Sequence, residues 1–419
     1  MISKYEDRHG ELVRNCERGL IKTGLKDVLD IPADAADWLR YRRYLTSLIA
    51  NIINGEAGTP TRPKDFIYYL FRSDPSYWSR KISDRDYDGP YTTHLRETLC
   101  ESVSTEDIYQ YVTDFGDLIN DVPDAIERSS KTYEIEQFDY RKQDPNVLNR
   151  LQQRSTELEE VSVYLHGSMA TRDHTSFSDI DDFVVLNQDS WDSFSKFERN
   201  VERLGEMAKK MYEYDPLQHH GHWVFTHFDL NCFDPSRMSP SILKTALRLA
   251  GERKIELSVI SSSQLYSRPL WSIVQVIRHG LSSIERGDIN LFQLKKLVSA
   301  ISLMPALLAQ IEGIEIDKKT AIQKKEELLI EEALSGVNWA TNIRRHWSDV
   351  PKMYRTNIIK VFNRATPFNR VVSEELSRRY APNIRTDEVP FLNTRIMNSI
   401  SRLSDQGGNA VLEVYNGSN

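Results

Sequence analysis

The run from Tyr164 to Leu186, YLHGSMATRDHTSFSDIDDFVVL, restricts the fold more than any other stretch of the chain. A β-rich segment, VSVYLHG, ends on glycine, a polar loop follows, and a second apolar run, IDDFVVL, opens with aspartates. Asp179, Asp181 and Asp182 all fall within four consecutive residues. Apolar runs of this length bounded by turn residues read as strands. The helix-periodic segment SWDSFSKFERNVERLGEMAKKMYEY comes next. After it, HWVFTHFDLNCF reads as one long strand with Trp223, Phe225, His227, Asp229 and Asn231 on one side. Strand, turn, strand, helix and strand make a small α/β core.

The aspartates say what such a core is for. In an extended chain alternate side chains share a face, so Asp179 and Asp181 project together while Ile180 points toward the core. Adjacent carboxylates repel unless a cation lies between them. A hard divalent ion meets that need, and Mg²⁺ typically takes one or two carboxylates plus phosphate oxygens and water. The preceding Gly167 lets backbone approach a ligand closely, the N–H groups of a following helix suit a phosphate, and Ser168 adds a hydroxyl donor.

Gly-Ser after a β-rich run, ten residues, then Asp-Ile-Asp resembles the signature of the DNA polymerase β-like nucleotidyltransferase superfamily. The resemblance spans only Val161 to Phe233. It implies that Gly167 and Ser168 hold the triphosphate of an NTP substrate, ATP among the candidates, and that Asp179 and Asp181 ligate two ions, Mg²⁺ or Mn²⁺. It also implies a third carboxylate from a later strand that contacts one metal and orients or deprotonates the attacking hydroxyl. Asp229 matches that place by its order in the chain, and Asp234 is the alternative. One departure is Asp182, where the superfamily usually has an apolar residue; it either joins the metal site or faces solvent. The implied reaction is in-line attack of an acceptor hydroxyl on the α-phosphate, with pyrophosphate leaving.

The expected fold class is α+β, a nucleotidyltransferase core with a mixed sheet over 126–260, framed by a helical N-terminal domain over 1–125 and a helical C-terminal domain over 261–419. A chain of 419 residues exceeds one ordinary hydrophobic core. In DWLRYRRYLTSLIANIIN, helical spacing puts Tyr41, Tyr44, Leu45, Leu48 and Ile52 near one face. RSDPSYWSRKISDRDYDGPY reads as a loop, and Ser104 with Asp107 as a helix start. Beyond Pro240, LWSIVQVIRHGLSSIERG, LFQLKKLVSAISLMPALLAQIEG and DKKTAIQKKEELLIEEALSG each read as a helix closing on glycine.

Charged residues throughout the first 20 positions leave no apolar core for a secretory signal. The longest mainly apolar stretch, Leu297 to Ala309, falls short of the roughly 20 residues that span a bilayer. No membrane role and a cytoplasmic location are the expectation. Cys16, Cys100 and Cys232 lie far apart and read as core residues. No P-loop, HExxH, GxSxG elbow or strand-linked GxGxxG competes with the aspartate motif.

Smaller constellations surround it. His219, His220, His222 and His227 cluster in DPLQHHGHWVFTH; His220 and His222 at i, i+2 are a zinc-ligand pair without a familiar partner, and the loop is read either as a solvated or packed loop or as an active-site border where His220 contacts substrate. Arg172 and His174, between Ser168 and Asp179, are placed for phosphate contact or lie in a solvated loop. Lys318, Lys319, Lys324 and Lys325 form either a charged exposed face or an arm toward the triphosphate. Tyr212, Tyr214 and Trp223 offer stacking surfaces or core packing.

Net charge of −7 argues against a protein coated for long nucleic-acid tracts. From Thr341 to Ile400, however, basic residues outnumber acidic ones by about two to one, which reads as a solvated helical surface or as a patch facing the phosphates of a nucleotide or RNA, and keeps a tRNA-sized acceptor open beside a protein, a small molecule or a nucleotide. The reading from a different class is a non-catalytic nucleotide-binding regulatory module, such as the neutralising partner of a toxin. The sequence leaves the oligomeric state open.

Overall fold

The computed structural model describes residues 31–55, 120–139, 146–348 and 370–417, together with Leu29, Glu106, Tyr109, Gln110, Thr113, Arg355 and Ile359. The loop expected over 72–91 and the helix start at Ser104 and Asp107 lie outside them, as do Cys16 and Cys100. Helix α1 (Ala33–Ile53) buries Ile49, Ile52 and Ile53 in the same core as the central sheet. Strand β1 (Arg128–Glu134) pairs antiparallel with β7 (Lys254–Ile260) in a separate two-stranded sheet.

The central sheet is mixed, as expected. Its strands are β2 (Glu136–Gln137), β3 (Val161–His166), β4 (Asp181–Leu186), β5 (Trp223–Thr226) and β6 (Leu247–Ala250), in the order β2-β6-β3-β4-β5. β3 runs antiparallel to β4 and β6, while β4 and β5 are parallel. Helix α2 (Asn146–Ser155) precedes β3, the one-and-a-half-turn α3 (Gly167–Thr171) follows it, and α4 (Phe194–Tyr214) connects β4 to β5.

Period-two alternation sorts the sheet's side chains onto two faces. Val163, Leu165, Val184, Leu186 and Val224 pack with Phe197, Leu204, Met207 and Met211 of α4. Tyr164, Phe183, Val185 and Phe225 pack on the other side with Ile255, Leu257 and Val259 of β7. Because His166 pairs with Asp181 across β3 and β4, both belong to the second face, whereas Asp182 belongs to the first.

The long strand expected over 222–233 is cut short. After β5 the chain turns into α5 (His227–Leu230), with Thr226 as N-cap and Asp229 as the third helical residue of a capping box. Thr226-His227-Phe228-Asp229 is the [ST]xx[DE] pattern of such a box, and this local signal overrides the strand alternation.

The C-terminal helices pack around α7 (Leu291–Ile311), with α6 (Ser267–Arg286) on one side and α10 (Glu331–Arg345) and α12 (Thr394–Gly417) on others. By length and composition α7 is apolar enough to cross a membrane, longer than the stretch read from sequence, but it lies buried among these helices. Gly287 and Gly313 end α6 and α7 in the left-handed conformation. The single helix expected over 317–336 instead breaks into α8 (Lys318–Gln323), α9 (Lys325–Leu328) and α10. Gly336 is no cap: it lies inside α10, where a Cβ would come within 3.0–3.3 Å of Ile400 on α12. Close helix approach, not termination, is its reason. Helix α11 (Arg370–Tyr380) completes the described α-helices.

Candidate active site

The candidate site starts at the end of β3. Gly167 has φ +69°, a region glycine enters freely, and it begins α3 while turning the backbone across the sheet end. A Cβ there would lie 2.9 Å from Oδ2 of Asp181, so the missing side chain leaves the carboxylate its space. Asp179, just before β4, and Asp181, its first residue, come together with His220 from the approach to β5; their ligand atoms all lie within 4.8 Å of one another. Ile180 is fully buried in the core between them.

Both carboxylates are met by cations. His220 Nε2 lies 2.9 Å from Asp181 Oδ1 and 3.4 Å from Asp179 Oδ2, and His219 Nδ1 lies 3.6 Å from Asp179. Lys295, buried on α7, stands 4.0 Å from Asp179 and forms an ion pair with Asp215. Burial acts to raise the Asp179 carboxyl, but Lys295, His220 and His219 outweigh it and hold it well below the usual carboxylate range. Asp181 is also lowered, because His220 and His166 overcome burial and the repulsion of Asp179. The same pairing lifts His220 well above an ordinary imidazole despite its burial. His219 behaves oppositely: burial pushes it down to about 3.

A second cationic layer comes from the helical region. Lys318, first residue of α8, is crowded by protein yet open to water. That crowding and the neighbouring Arg344 push its ammonium down to about 8, against the pull of Asp181 and Asp179. Arg344 stacks 4.9 Å over the Phe177 ring, which Lys295 also approaches at 5.4 Å. Lys319 pairs with Asp173 in the loop between Ser168 and Asp179, at 2.9 Å. Of the lysine cluster read from sequence, Lys318 is thus the member that faces the carboxylates.

Three positioning residues carry no signal in the sequence motif. Gln218, fully buried, donates to the Ile180 carbonyl at 3.1 Å and to the His220 carbonyl at 3.3 Å, tying the aspartate segment to the histidine segment. Asn54, at the C-terminus of α1, accepts from His222 N at 2.8 Å and donates to His222 O at 3.1 Å, as a neighbouring strand would. The intervening Gly221 has no room for a Cβ, which would fall 1.9 Å from Asn54 Oδ1.

His222 does not join His220 in a zinc pair. Its Nδ1 lies 2.7 Å from Asp182 Oδ2 and its Nε2 2.8 Å from the Leu204 carbonyl, on the opposite sheet face. Burial lowers this imidazole, but Asp182 and the Leu204 carbonyl raise it further. Asp182, buried with His222, therefore neither joins the carboxylate pair nor faces solvent.

Asp229 stands outside the group formed by Asp179, Asp181 and His220. Its Oδ2 accepts from Thr226 N at 2.7 Å and Thr226 Oγ1 at 2.9 Å; its Oδ1 accepts from Thr46 Oγ1 at 2.8 Å and Arg237 at 3.1 Å. Asp234 is likewise committed, to Arg43 and the Ser236 backbone. Arg172 is exposed at the end of α3 with φ 61°, and His174 is half-buried. Tyr212 is core, whereas Trp223 is 37% exposed with its ring 6.4 Å from that of His220.

Residues 145–220 match the family model described as a nucleotidyltransferase domain, from the start of α2 to His220 itself. The chain carries a nucleotidyltransferase domain. The match covers the Gly-Ser turn and both aspartates and ends before Asp229, and it agrees with the polymerase β-like superfamily resemblance. No curated protein and no solved structure matches the chain. Two carboxylates and an imidazole, with the space that Gly167 leaves beside Asp181, fit a divalent cation held in this nucleotidyltransferase domain.

Proposed function

We propose that the chain moves a nucleoside monophosphate from an NTP to an acceptor hydroxyl, releasing pyrophosphate. The observation that carries this reading is the Asp179–Asp181 pair facing the Gly167–Ser168 turn inside a nucleotidyltransferase domain. Asp179 and Asp181 would hold the divalent cation, Mg²⁺ or Mn²⁺, in the two-ion arrangement that the superfamily resemblance implies. When bound, that ion supplies Lewis acidity and neutralises charge on the transferring phosphoryl group.

The protein's own groups do the rest. The Gly167–Ser168 turn takes the triphosphate by close backbone approach and the Ser168 hydroxyl. Lys318 and Arg344, whose charges couple to Asp179 and Asp181, would neutralise the phosphates that leave as pyrophosphate. Trp223 at the rim offers a face for the base. Lys295, buried behind Asp179, fixes that carboxylate rather than touching substrate.

Three of the basic C-terminal residues have partners within the chain. Arg355 donates to the Tyr214 carbonyl, Arg370 pairs with Glu374 and Arg385 with Asp387. Lys352, Lys360 and Arg364 lie outside the described residues.

The test is incubation with Mg²⁺ or Mn²⁺ and each α-labelled NTP in cell extract, with separation into protein, RNA and small-molecule fractions. Label is expected in one fraction and absent with Asp181→Asn. Equal labelling by wild type and a folded Asp181→Asn protein would refute the proposal. A regulatory module that binds nucleotide without turnover is the second reading, favoured by the commitment of Asp229 to a helix cap. Nucleotide binding unchanged in Asp181→Asn, without pyrophosphate release by wild type, would select it.

A further inference from the structure

We propose that His220 supplies the third protein ligand of the divalent ion at this cleft, in the place of a third carboxylate, and that this imidazole biases the site toward a transition-metal dication over Mg²⁺. The inference rests on the reading of the cleft as a metal-dependent nucleotidyl-transfer site.

Sheet register brings the imidazole to the carboxylates. Parallel pairing sets Phe183 beside Trp223, so the residues leading into β5 run alongside the start of β4. His220 arrives there with Nε2 between Asp181 Oδ1 and Asp179 Oδ2, whereas Asp229, farther along, turns into a capping box. Gln218 and Asn54 hold the backbone on either side of His220.

The ring's other nitrogen fixes its use. His220 Nδ1 lies 3.2 Å from the Gly221 carbonyl, which can only accept, so Nδ1 carries the proton in this contact. A histidine whose Nδ1–H is held by a carbonyl turns the Nε2 lone pair outward, the arrangement that metal-ligating histidines use. Here Nε2 points at the two carboxylates.

A second observation points to a ligand at the same place. His166 is 7% exposed, its Nε2 is buried without a hydrogen-bond partner, and it sits directly across from Asp181 on the same sheet face. Buried polar atoms are seldom left unpaired, and an ion with its bound water would supply the missing partner. A donor set of one imidazole and two carboxylates suits first-row transition ions better than Mg²⁺, which favours an all-oxygen shell.

The competing account of the same distances is an imidazolium that merely neutralises the aspartates and must move aside for a metal. The two accounts predict opposite signs. Mn²⁺ and Mg²⁺ binding to the full chain would be measured by calorimetry without nucleotide, in wild type, His220→Ala, His220→Asp and His166→Ala. Folding of each variant would be checked by circular dichroism. The expected result is a fall of tenfold or more in Mn²⁺ affinity for His220→Ala, a smaller fall for Mg²⁺, and a shift of His220→Asp toward Mg²⁺. In wild type, electron spin echo modulation of bound Mn²⁺ should show imidazole nitrogen, lost in His220→Ala and kept in His166→Ala.

Unchanged or tighter Mn²⁺ binding by His220→Ala would overturn the inference, as would an echo from wild type without nitrogen modulation or one that His166→Ala abolishes. Transfer activity is scored separately. A chain that binds Mn²⁺ through His220 yet labels nothing sinks the proposed function alone, and a chain that labels an acceptor while His220→Ala keeps its Mn²⁺ affinity sinks this inference alone.

Discussion

Lys295→Met tests how the helical region supports the carboxylate pair. Lys295 is 1% exposed, its ammonium pairs with Asp215, and it stands 4.0 Å from Asp179. Met preserves most of the stem's volume while deleting the charge, so packing changes little. What remains is Asp215, itself 7% exposed, with a hydrogen bond from Leu217 N at 3.0 Å and, among the described residues, no other countercharge in ion-pair contact. Breaking a buried pair by removing one partner typically destabilises by about 3–5 kcal/mol. Against a total stability of roughly 5–15 kcal/mol, such a loss is plainly measurable.

The assay is urea unfolding followed by tryptophan fluorescence, for the single variant and for Lys295→Met with Asp215→Asn, which keeps an acceptor for Leu217 N but removes the stranded charge. The double variant should recover at least half of the loss. Sign also follows. Burial already raises the Asp215 carboxyl, outweighing Lys295, and deleting Lys295 raises it further. A carboxyl whose folded value lies above its unfolded value destabilises the fold at higher pH, and the penalty fades as pH falls through the folded value. The gap between Lys295→Met and wild type should therefore narrow from neutral toward acidic pH. A single-variant loss below about 1 kcal/mol, or a double variant no more stable than the single, would refute the reasoning.

Asp229→Ala should act on stability rather than metal binding, lowering unfolding free energy by about 2 kcal/mol or more through loss of the cap and of the Thr46 and Arg237 bonds, with Mn²⁺ affinity unchanged by calorimetry. Gly167→Ala should lose about 1 kcal/mol from its left-handed φ and most of its transfer activity, because the added methyl meets Asp181 Oδ2; calorimetric melting and labelling separate the two effects. Chelation by EDTA should abolish labelling and Mn²⁺ or Mg²⁺ restore it, and activity that survives exhaustive chelation would count against a metal-dependent reaction.

The aspartate motif was legible because its information is local. Chain order and period-two alternation suffice to put Asp179 and Asp181 together with Ile180 turned inward, and a Gly-Ser turn before them needs no distant partner. Helix ends at Gly287 and Gly313 were legible for the same reason. The strand expected around Asp229 gave way to a helix because two local signals competed, a strand-like alternation and a capping box, and the box won through hydrogen bonds that include Thr46 from 183 residues away.

Other features depended on contacts between elements that sequence spacing does not encode. Gly336 resembles a helix end, yet it is a point of contact with Ile400 on another helix. From sequence Asp182 reads as joining the metal site or facing solvent, but the pleat sends it to the opposite, buried face, where His222 meets it. Sequence alone determined that this chain contains a nucleotidyltransferase core and where its carboxylate pair lies. Only the tertiary structure decided that His220 lies against both carboxylates, that Lys295, Lys318 and Arg344 of the helical region act on them electrostatically, and that Asn54 and Gln218 hold the His220 segment in register. Those choices depend on which strand lies beside β4 and which helices pack across its end, and that is set by burial over the whole chain rather than by any short run of residues.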